Sequence, residues 1–323
     1  MIEAVFSSLD MEKAYEIAKK LPELDEIEIS AILAALEAKK YDAEVIAGFA
    51  KAMLEKSRVE LGRVFDTCGT GGDKSETINV STAVAITLSN FTRVAKHGNR
   101  AMSSKSGSAD ALEKLGIKID LSPEEARDLI EKTNFAFLFA PRYHKEFAKV
   151  TKVRRKLGIK TIFNVLGPLV NPANPERQII GVSSEELLKS VSESMELLGR
   201  RGIVYHGGGL DEVSPFGKTV ALIVENGVER IELTPRDFGV RECNIIPCKS
   251  SEESANRIKA VFENKGLKED FTLIATNFSL AMFAMGYEDL KENVLIFKEG
   301  VEDGKFLRKL EEIVCRSTSS LSL

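Results

Sequence analysis

After Val64 the chain alternates short β-prone runs, glycine-rich turns and helical periodicity, and this alternation restricts its fold more than any other feature. The β-prone runs fall at 63–67, 93–96, 135–140, 161–166, 178–182, 203–206 and 220–224. Strands separated by helices pair in parallel through crossovers, so the pattern predicts an α/β fold with a mostly parallel central sheet flanked by helices. In such folds ligands gather at the carboxyl ends of the strands. Asn226-Gly227, between 221–225 and 228–233, reads as a hairpin and predicts at least one antiparallel pair.

The opening of the chain has a different texture. Met11, Ala14, Tyr15 and Ala18 recur at spacings of three and four, and helical patterns follow at 27–36 and 43–54, with breaks at Pro22, Lys39 and Tyr41. No glycine and no β-rich run precedes Gly48, which predicts a small bundle of three or four short helices. A length of 323 residues has room for both parts, and 43% hydrophobic with 29% charged residues suits a folded, water-soluble protein.

Composition also narrows the function. Forty-five Lys and Arg against 49 Asp and Glu give a net charge of -4, so no global positive field attracts nucleic acid or an anionic membrane. Residues 1–10 lack a basic cluster and no stretch reaches the roughly 18 apolar residues of a spanning helix, so the expected location is the cytoplasm. Cys68, Cys243, Cys248 and Cys315 make no paired Cys-x-x-Cys pattern, and His97, His144 and His206 stand far apart. Structural zinc is therefore not expected, and any metal would take oxygen ligands. Cys68 reads as a small buried side chain ending a strand rather than a nucleophile.

The run Phe65 to Asp73 places Gly69, Gly71 and Gly72 directly after a strand, where bare backbone N–H groups can face an anion. It lacks the Gly-Lys-Ser/Thr ending of a P-loop and the spacing of a dinucleotide fingerprint. Thr77-Ile78-Asn79-Val80-Ser81-Thr82 follows, with Ser81 or Thr82 as a cap for a helix over 83–90, and a helix start favours phosphate oxygens. A second polar loop, Lys96 to Ser108, precedes a helix over 109–115. Its Lys96, Arg100, Lys105 and four serines predict a cationic, donor-rich surface suited to a polyanionic small molecule.

Taken in order, Gly69 to Asp73, Asn79-Val80-Ser81-Thr82, Lys96-His97-Gly98-Asn99-Arg100, Asn164 to Pro172 and Asp211-Glu212 closely resemble the anthranilate phosphoribosyltransferase family. The likeness runs over nearly the whole chain; the helical opening, the turn 235–239 and the helix around Asn277 share it. It implies a small N-terminal α-helical bundle domain, 1–64, with part of 145–175 completing it. A larger α/β domain, 65–323, would bind phosphoribosyl diphosphate, and a homodimer would form through the helical part. The implied reaction is transfer of the phosphoribosyl group to the amine of anthranilate, a step of tryptophan synthesis. Association with anthranilate synthase is left open.

Carried over by position, Gly69, Gly72, Asp73, Thr77, Asn79, Ser81, Thr82, Lys96, Ser104 and Ser108 would hold phosphoribosyl diphosphate. Gly69, His97, Asn99 and Arg154 would face anthranilate. Ser81, Asp211 and Glu212 would bind magnesium, as two ions together with the diphosphate. The aromatic amine is unprotonated at neutral pH, so positioning outweighs base catalysis; His97 is the candidate for late proton acceptance. Two departures stand out: Lys74, Ser75 and Glu76, and the turn Lys39 to Asp42, lack glycines common in the family. The alternatives are a pyrimidine nucleoside phosphorylase and a non-catalytic nucleic-acid-binding relative. Asn99, Arg154 and Gly167-Pro168-Leu169 speak against the first, and the retained glycine loop with negative net charge against the second.

Overall fold

The computed structural model describes residues 2–73, 75–101 and 105–319. Four helices open the chain: α1 (Ile2–Phe6), α2 (Met11–Lys20), α3 (Glu26–Lys39) and α4 (Ala43–Leu54), with Pro22 in a short turn after α2. Their starts follow from side-chain caps. Asp25 accepts from the N–H groups of Ile27 and Glu28 at 2.8 Å, while Glu28 reaches back to the Asp25 N–H at 3.1 Å. Asp10 and Asp42 cap α2 and α4 in the same manner. Gly48 lets α2 and α4 cross closely, because a Cβ there would overlap the Met11 carbonyl.

Seven strands form one sheet: β1 (Phe65–Gly69), β2 (Val94–Gly98), β3 (Phe135–Phe139), β4 (Arg177–Gly181), β5 (Arg201–His206), β6 (Thr219–Val224) and β7 (Val228–Leu233). Their order is β3-β2-β1-β4-β5-β6-β7, with the first five parallel and the last two antiparallel around the expected Asn226-Gly227 turn. Register pairs Gly69 with Gly181 and Gly181 with Tyr205, which levels the carboxyl ends of β1, β4 and β5. Alternate side chains divide the core. Ile179, Ile203 and Tyr205 join Phe278 and Phe297 on one face, while Ile180, Val182 and Val204 pack with α2, α3 and α4 on the other.

The run 161–166 is not a strand. Phe163–Leu166 is a helical turn continued by a tighter turn over Gly167–Leu169. Thr161 and Asn164 exchange bonds, the Thr161 N–H donating to Asn164 Oδ1 at 3.0 Å and the Asn164 N–H to the Thr161 carbonyl at 2.8 Å. Ile162, Val165, Leu166 and Leu169 are buried in the same apolar cluster as the opening helices, at helical spacing. Burying each stabilises by roughly 1.5–3 kcal/mol, against a β-propensity span of only about 1 kcal/mol, so packing decides.

Helix boundaries also shift. The helix expected at 83–90 is α5 (Val80–Leu88), so Asn79 occupies the cap position and Ser81 and Thr82 lie inside the first turn. The one expected at 109–115 is α6 (Ser108–Lys114). Both departures from the family's glycines coincide with left-handed backbone: Lys40 has φ +66° and Glu76 φ +52°. With ψ 158°, Lys40 sits in a region that only glycine adopts readily. Lys40→Gly should therefore raise the free energy of unfolding by about 1 kcal/mol. An unchanged or lower urea midpoint would refute the strain.

Candidate functional site

A cleft of about 650 Å³ opens at the carboxyl ends of β1 and β2, bordered by the segments that follow β3 and β5. Gly71 and Gly72, at φ +66° and +82°, turn the loop after β1 so that open space lies where side chains would project. Thr70 ties this loop to β4: its N–H donates to the Gly181 carbonyl at 2.8 Å, and its Oγ1 accepts from the Ser183 N–H at 3.1 Å.

Asp211 and Glu212 lie on the turn after β5, which Gly208 and Gly209 form at positive φ. The turn rests directly on the strand ends. A Cβ on Gly181 would overlap the Asp211 carbonyl, one on Gly69 the Asp211 carboxylate, and one on Gly207 the Glu212 carbonyl. Asn277, on the helix Lys268–Ala284, fastens it by accepting from the Val213 N–H at 3.0 Å and the Tyr205 hydroxyl at 3.2 Å. Asp211 Oδ2 in turn accepts from the Gly71 N–H at 2.7 Å, so the acidic turn and the glycine loop touch.

Both carboxylates are buried, and burial raises their pKa values. Burial and then the nearby Asp73 hold Asp211 at about 8, and burial with Asp211 beside it pushes Glu212 well above the ordinary range. Glu212 Oε2 has no hydrogen-bond partner. Crowded acidic oxygens with an orphaned one among them fit a hard divalent cation. Among the described residues no three His, Cys, Asp or Glu side chains group as a self-sufficient metal cage. Magnesium keeps waters and shares its coordination with substrate phosphates. Ser81, the third expected ligand, lines the same cleft, and its Oγ lies 3.2 Å from Lys96 Nζ.

Of the residues expected to hold the diphosphate sugar, Gly69, Gly72, Asp73, Thr77, Asn79, Ser81, Lys96 and Ser108 line this cleft. Thr82 does not: it is fully buried, with its Oγ1 unpartnered. Ser104 lies outside the described residues. Asn79 is held by two serines, accepting from Ser106 Oγ at 2.6 Å and Ser254 Oγ at 2.8 Å. Lys96, only 1% exposed, donates to the Thr67 carbonyl at 2.6 Å. Burial lowers its pKa, opposed first by Asp66, which is itself held by Asn171 at 2.7 Å.

The second polar loop is less cationic than its composition predicts. Arg100 pairs with Asp110 at 3.1 Å and with Glu113, and Lys105 pairs with Glu76 at 2.7 Å. Both charges have acidic partners within the protein, in pairs open to solvent.

His97, Asn99 and Arg154 line the same cleft. Arg154 donates to Thr161 Oγ1 at 3.1 Å and Asn164 Oδ1 at 3.4 Å and lies 5.2 Å from the Phe163 ring centre. Burial lowers its pKa to about 10, and among the described residues no carboxylate pairs with it, which leaves a half-buried guanidinium able to take an anion. Asn99 Oδ1 accepts from the next N–H, at Arg100. His97 Nδ1 lies 3.2 Å from the Gly167 carbonyl, and burial, reinforced by His144, lowers its pKa to about 3. Asp66, Asn171 and Asn277 support the site without having been singled out for it from the sequence. Asp66 and Asn171 sit within conspicuous motifs, but nothing in the spacing joins them to each other or to Asn277.

The model of the helical bundle domain of a glycosyl transferase family matches residues 8–57, and that of the family's a/b domain matches residues 61–307. A tryptophan biosynthesis protein, TrpCD, of Archaeoglobus fulgidus is 65% identical over 99% of this chain, and the chain spans 58% of that relative's length. An anthranilate phosphoribosyltransferase of Pyrococcus furiosus is 50% identical over 96% of this chain and 97% of its own. A solved anthranilate phosphoribosyltransferase of Saccharomyces cerevisiae, in complex with PRPP and Mg, superposes with a TM-score of 0.89 at 31% identity. The match covers 98% of this chain and 97% of that one.

With a pKa near 3 against 6.5 unfolded, His97 stays neutral across physiological pH. Its contribution to stability is complete above pH 6.5 and is lost as pH falls from there toward 3. NMR of the His97 ring should show no titration between about pH 5 and 9; a midpoint near 6.5 would contradict a buried neutral imidazole.

Proposed function

The chain belongs to the anthranilate phosphoribosyltransferase family, within the glycosyl transferases, and from that premise we propose that it transfers the phosphoribosyl group from phosphoribosyl diphosphate to anthranilate. The anthranilate nitrogen bonds to the anomeric carbon as that carbon's bond to diphosphate breaks, and the amine proton passes to solvent. The observation that carries this reading is one cleft in which an unpaired Arg154 shares space with the glycine loop and the Asp211-Glu212 turn. Nothing in the relatives supports the phosphorylase or nucleic-acid-binding alternatives.

The residues divide the work by their chemistry. The N–H groups around Gly69 to Asp73, Thr77 and the Asn79 turn, with Ser108, would receive phosphate oxygens. Lys96 would lend positive charge while anchored to β1. Ser81, Asp211 and Glu212 would hold magnesium, as two ions shared with the diphosphate; when bound, these neutralise charge on the leaving group. Arg154 would clamp the anthranilate carboxylate, with Asn99 beside the ring. His97, too weak a base at a pKa near 3, would shape the pocket wall rather than take the proton.

We assign residues 1–64, with the buried parts of 145–175, to the helical domain and the remainder to the α/β domain. We propose a homodimer through the helical part, where Phe6 and Ile27 are exposed on α1 and α3. No described helix is long and apolar enough to cross a membrane, and we place the enzyme in the cytoplasm.

Mixing the protein with anthranilate, phosphoribosyl diphosphate and magnesium should deplete anthranilate fluorescence only when all are present. Turnover without magnesium, or none in folded protein, would refute the reading. Asp211→Asn with Glu212→Gln should abolish metal-dependent turnover while circular dichroism stays native. Arg154→Ala should raise KM for anthranilate roughly 10- to 100-fold, the worth of about 1.5–3 kcal/mol for a hydrogen bond to a charge. Its KM for phosphoribosyl diphosphate should stay nearly constant.

A further inference from the structure

A second cleft, of about 470 Å³, lies at the opposite edge of the sheet, bordered by the chain segments that enter β1, β4 and β5. It shares no lining residue with the catalytic cleft. Four arginines border it, Arg58, Arg63, Arg200 and Arg201, against two carboxylates, Glu60 and Glu176. Arg63 meets Glu176 at 3.5 Å and Arg201 meets Glu225 at 3.7 Å, but these pairs are open to solvent and weak. Arg58 has no ion-pair partner among the described residues.

Arg200 is the unusual member. It is 3% exposed, and its Nη2 donates to Asn174 Oδ1, on the same cleft, at 3.3 Å. Its Nε and Nη1 have no acceptor. A guanidinium carries five donors, and leaving buried ones unmatched is costly. Burial lowers the Arg200 pKa to about 10; Asp66 and Cys68 oppose that shift, while Arg58 reinforces it. Among the described residues neither rim carboxylate, Glu60 or Glu176, forms an ion pair with Arg200, and the buried Asp66 is the carboxylate that opposes its shift.

We propose that this cleft binds a phosphate-bearing small molecule, with Arg200 and Arg58 as the anion-recognising pair and Asn174 as a further contact. The planar fork of arginine matches tetrahedral oxyanions, and two arginines within each other's field lower their mutual repulsion when a dianion lies between them. The volume falls in the range of roughly 300–1,000 Å³ typical of small-molecule sites, which favours a phosphorylated metabolite over free phosphate. Asn174 holds its place at φ +47° through a bond from its N–H to the Asn171 carbonyl at 3.0 Å.

Equilibrium dialysis of the full chain, without magnesium, against inorganic phosphate and separately against ribose 5-phosphate tests the site. Arg58→Gln should weaken the cleft's binding at least tenfold while kcat for phosphoribosyl transfer stays within twofold, and Arg200→Met should remove it. Tighter binding of ribose 5-phosphate than of phosphate assigns the site to a phosphorylated metabolite; equal binding assigns it to the free anion. Should Arg200→Met fail to fold, Arg58→Gln decides. Binding equal to wild type in Arg58→Gln overturns the proposal, as does binding that disappears in Lys96→Met alone.

Discussion

The acidic turn after β5 lies on bare backbone, and the active cleft depends on that contact. Gly181, Gly69 and Gly207 leave no side chain between the Asp211-Glu212 segment and the strand ends. Two carboxylates can then reach the glycine loop, with Asp211 accepting from the Gly71 N–H. Any Cβ at Gly181 would lift the turn off the sheet, and with it the oxygens that suit a divalent cation. The glycines after β1 and β4 therefore serve different ends: Gly71 and Gly72 open space for a ligand, while Gly69 and Gly181 admit another part of the same chain.

Beneath the contact is a buried polar layer. Lys96 bridges the Thr67 carbonyl and Ser81, Asp66 faces Lys96 and accepts from Asn171, and Asn171 also donates to the Ala95 carbonyl at 2.7 Å. An ammonium and a carboxylate this deep are tolerable only when their polar atoms find partners, which Thr67 and Ser81 supply for Lys96 and Asn171 for Asp66. The network fixes β1 and β2 against the 164–172 segment. Asn79 is locked from the other side by Ser106 and Ser254. The mouth of the cleft is thereby preorganised, its lining residues Asn79, Ser81 and Lys96 being held by hydrogen bonds to neighbours behind and beside them.

How much of this was legible follows from the range of the interactions. Local signals were readable: the capped helices of the opening, the Asn226-Gly227 hairpin, the glycine loop and the parallel strands rest on neighbours within a few residues. The run 161–166 misled because its β-branched and aromatic residues resemble a strand, whereas its Thr161–Asn164 exchange and its burial against α4 are settled by tertiary packing. Arg100 and Lys105 misled for a related reason: composition counts charges but not partners, and both partners exist within the fold. Asn277 was beyond sequence reasoning, since it reaches Val213 from 64 residues away. The missing glycines at Lys40 and Glu76 were visible as departures, yet only the backbone shows that each occupies a left-handed position.

Those paired cations also bear on how the cleft can recognise a polyanion. Arg100 and Lys105 have acidic partners in solvent-exposed pairs, and Lys96 lines the cleft while anchored to β1. Phosphate oxygens there would meet N–H groups, hydroxyls and whatever cation Asp211 and Glu212 retain. On the proposed reading Arg154, in the same cleft, would instead answer a carboxylate directly through the fixed geometry of its guanidinium. One cleft would then combine two modes of anion recognition, one shared with a metal and one carried by a side chain.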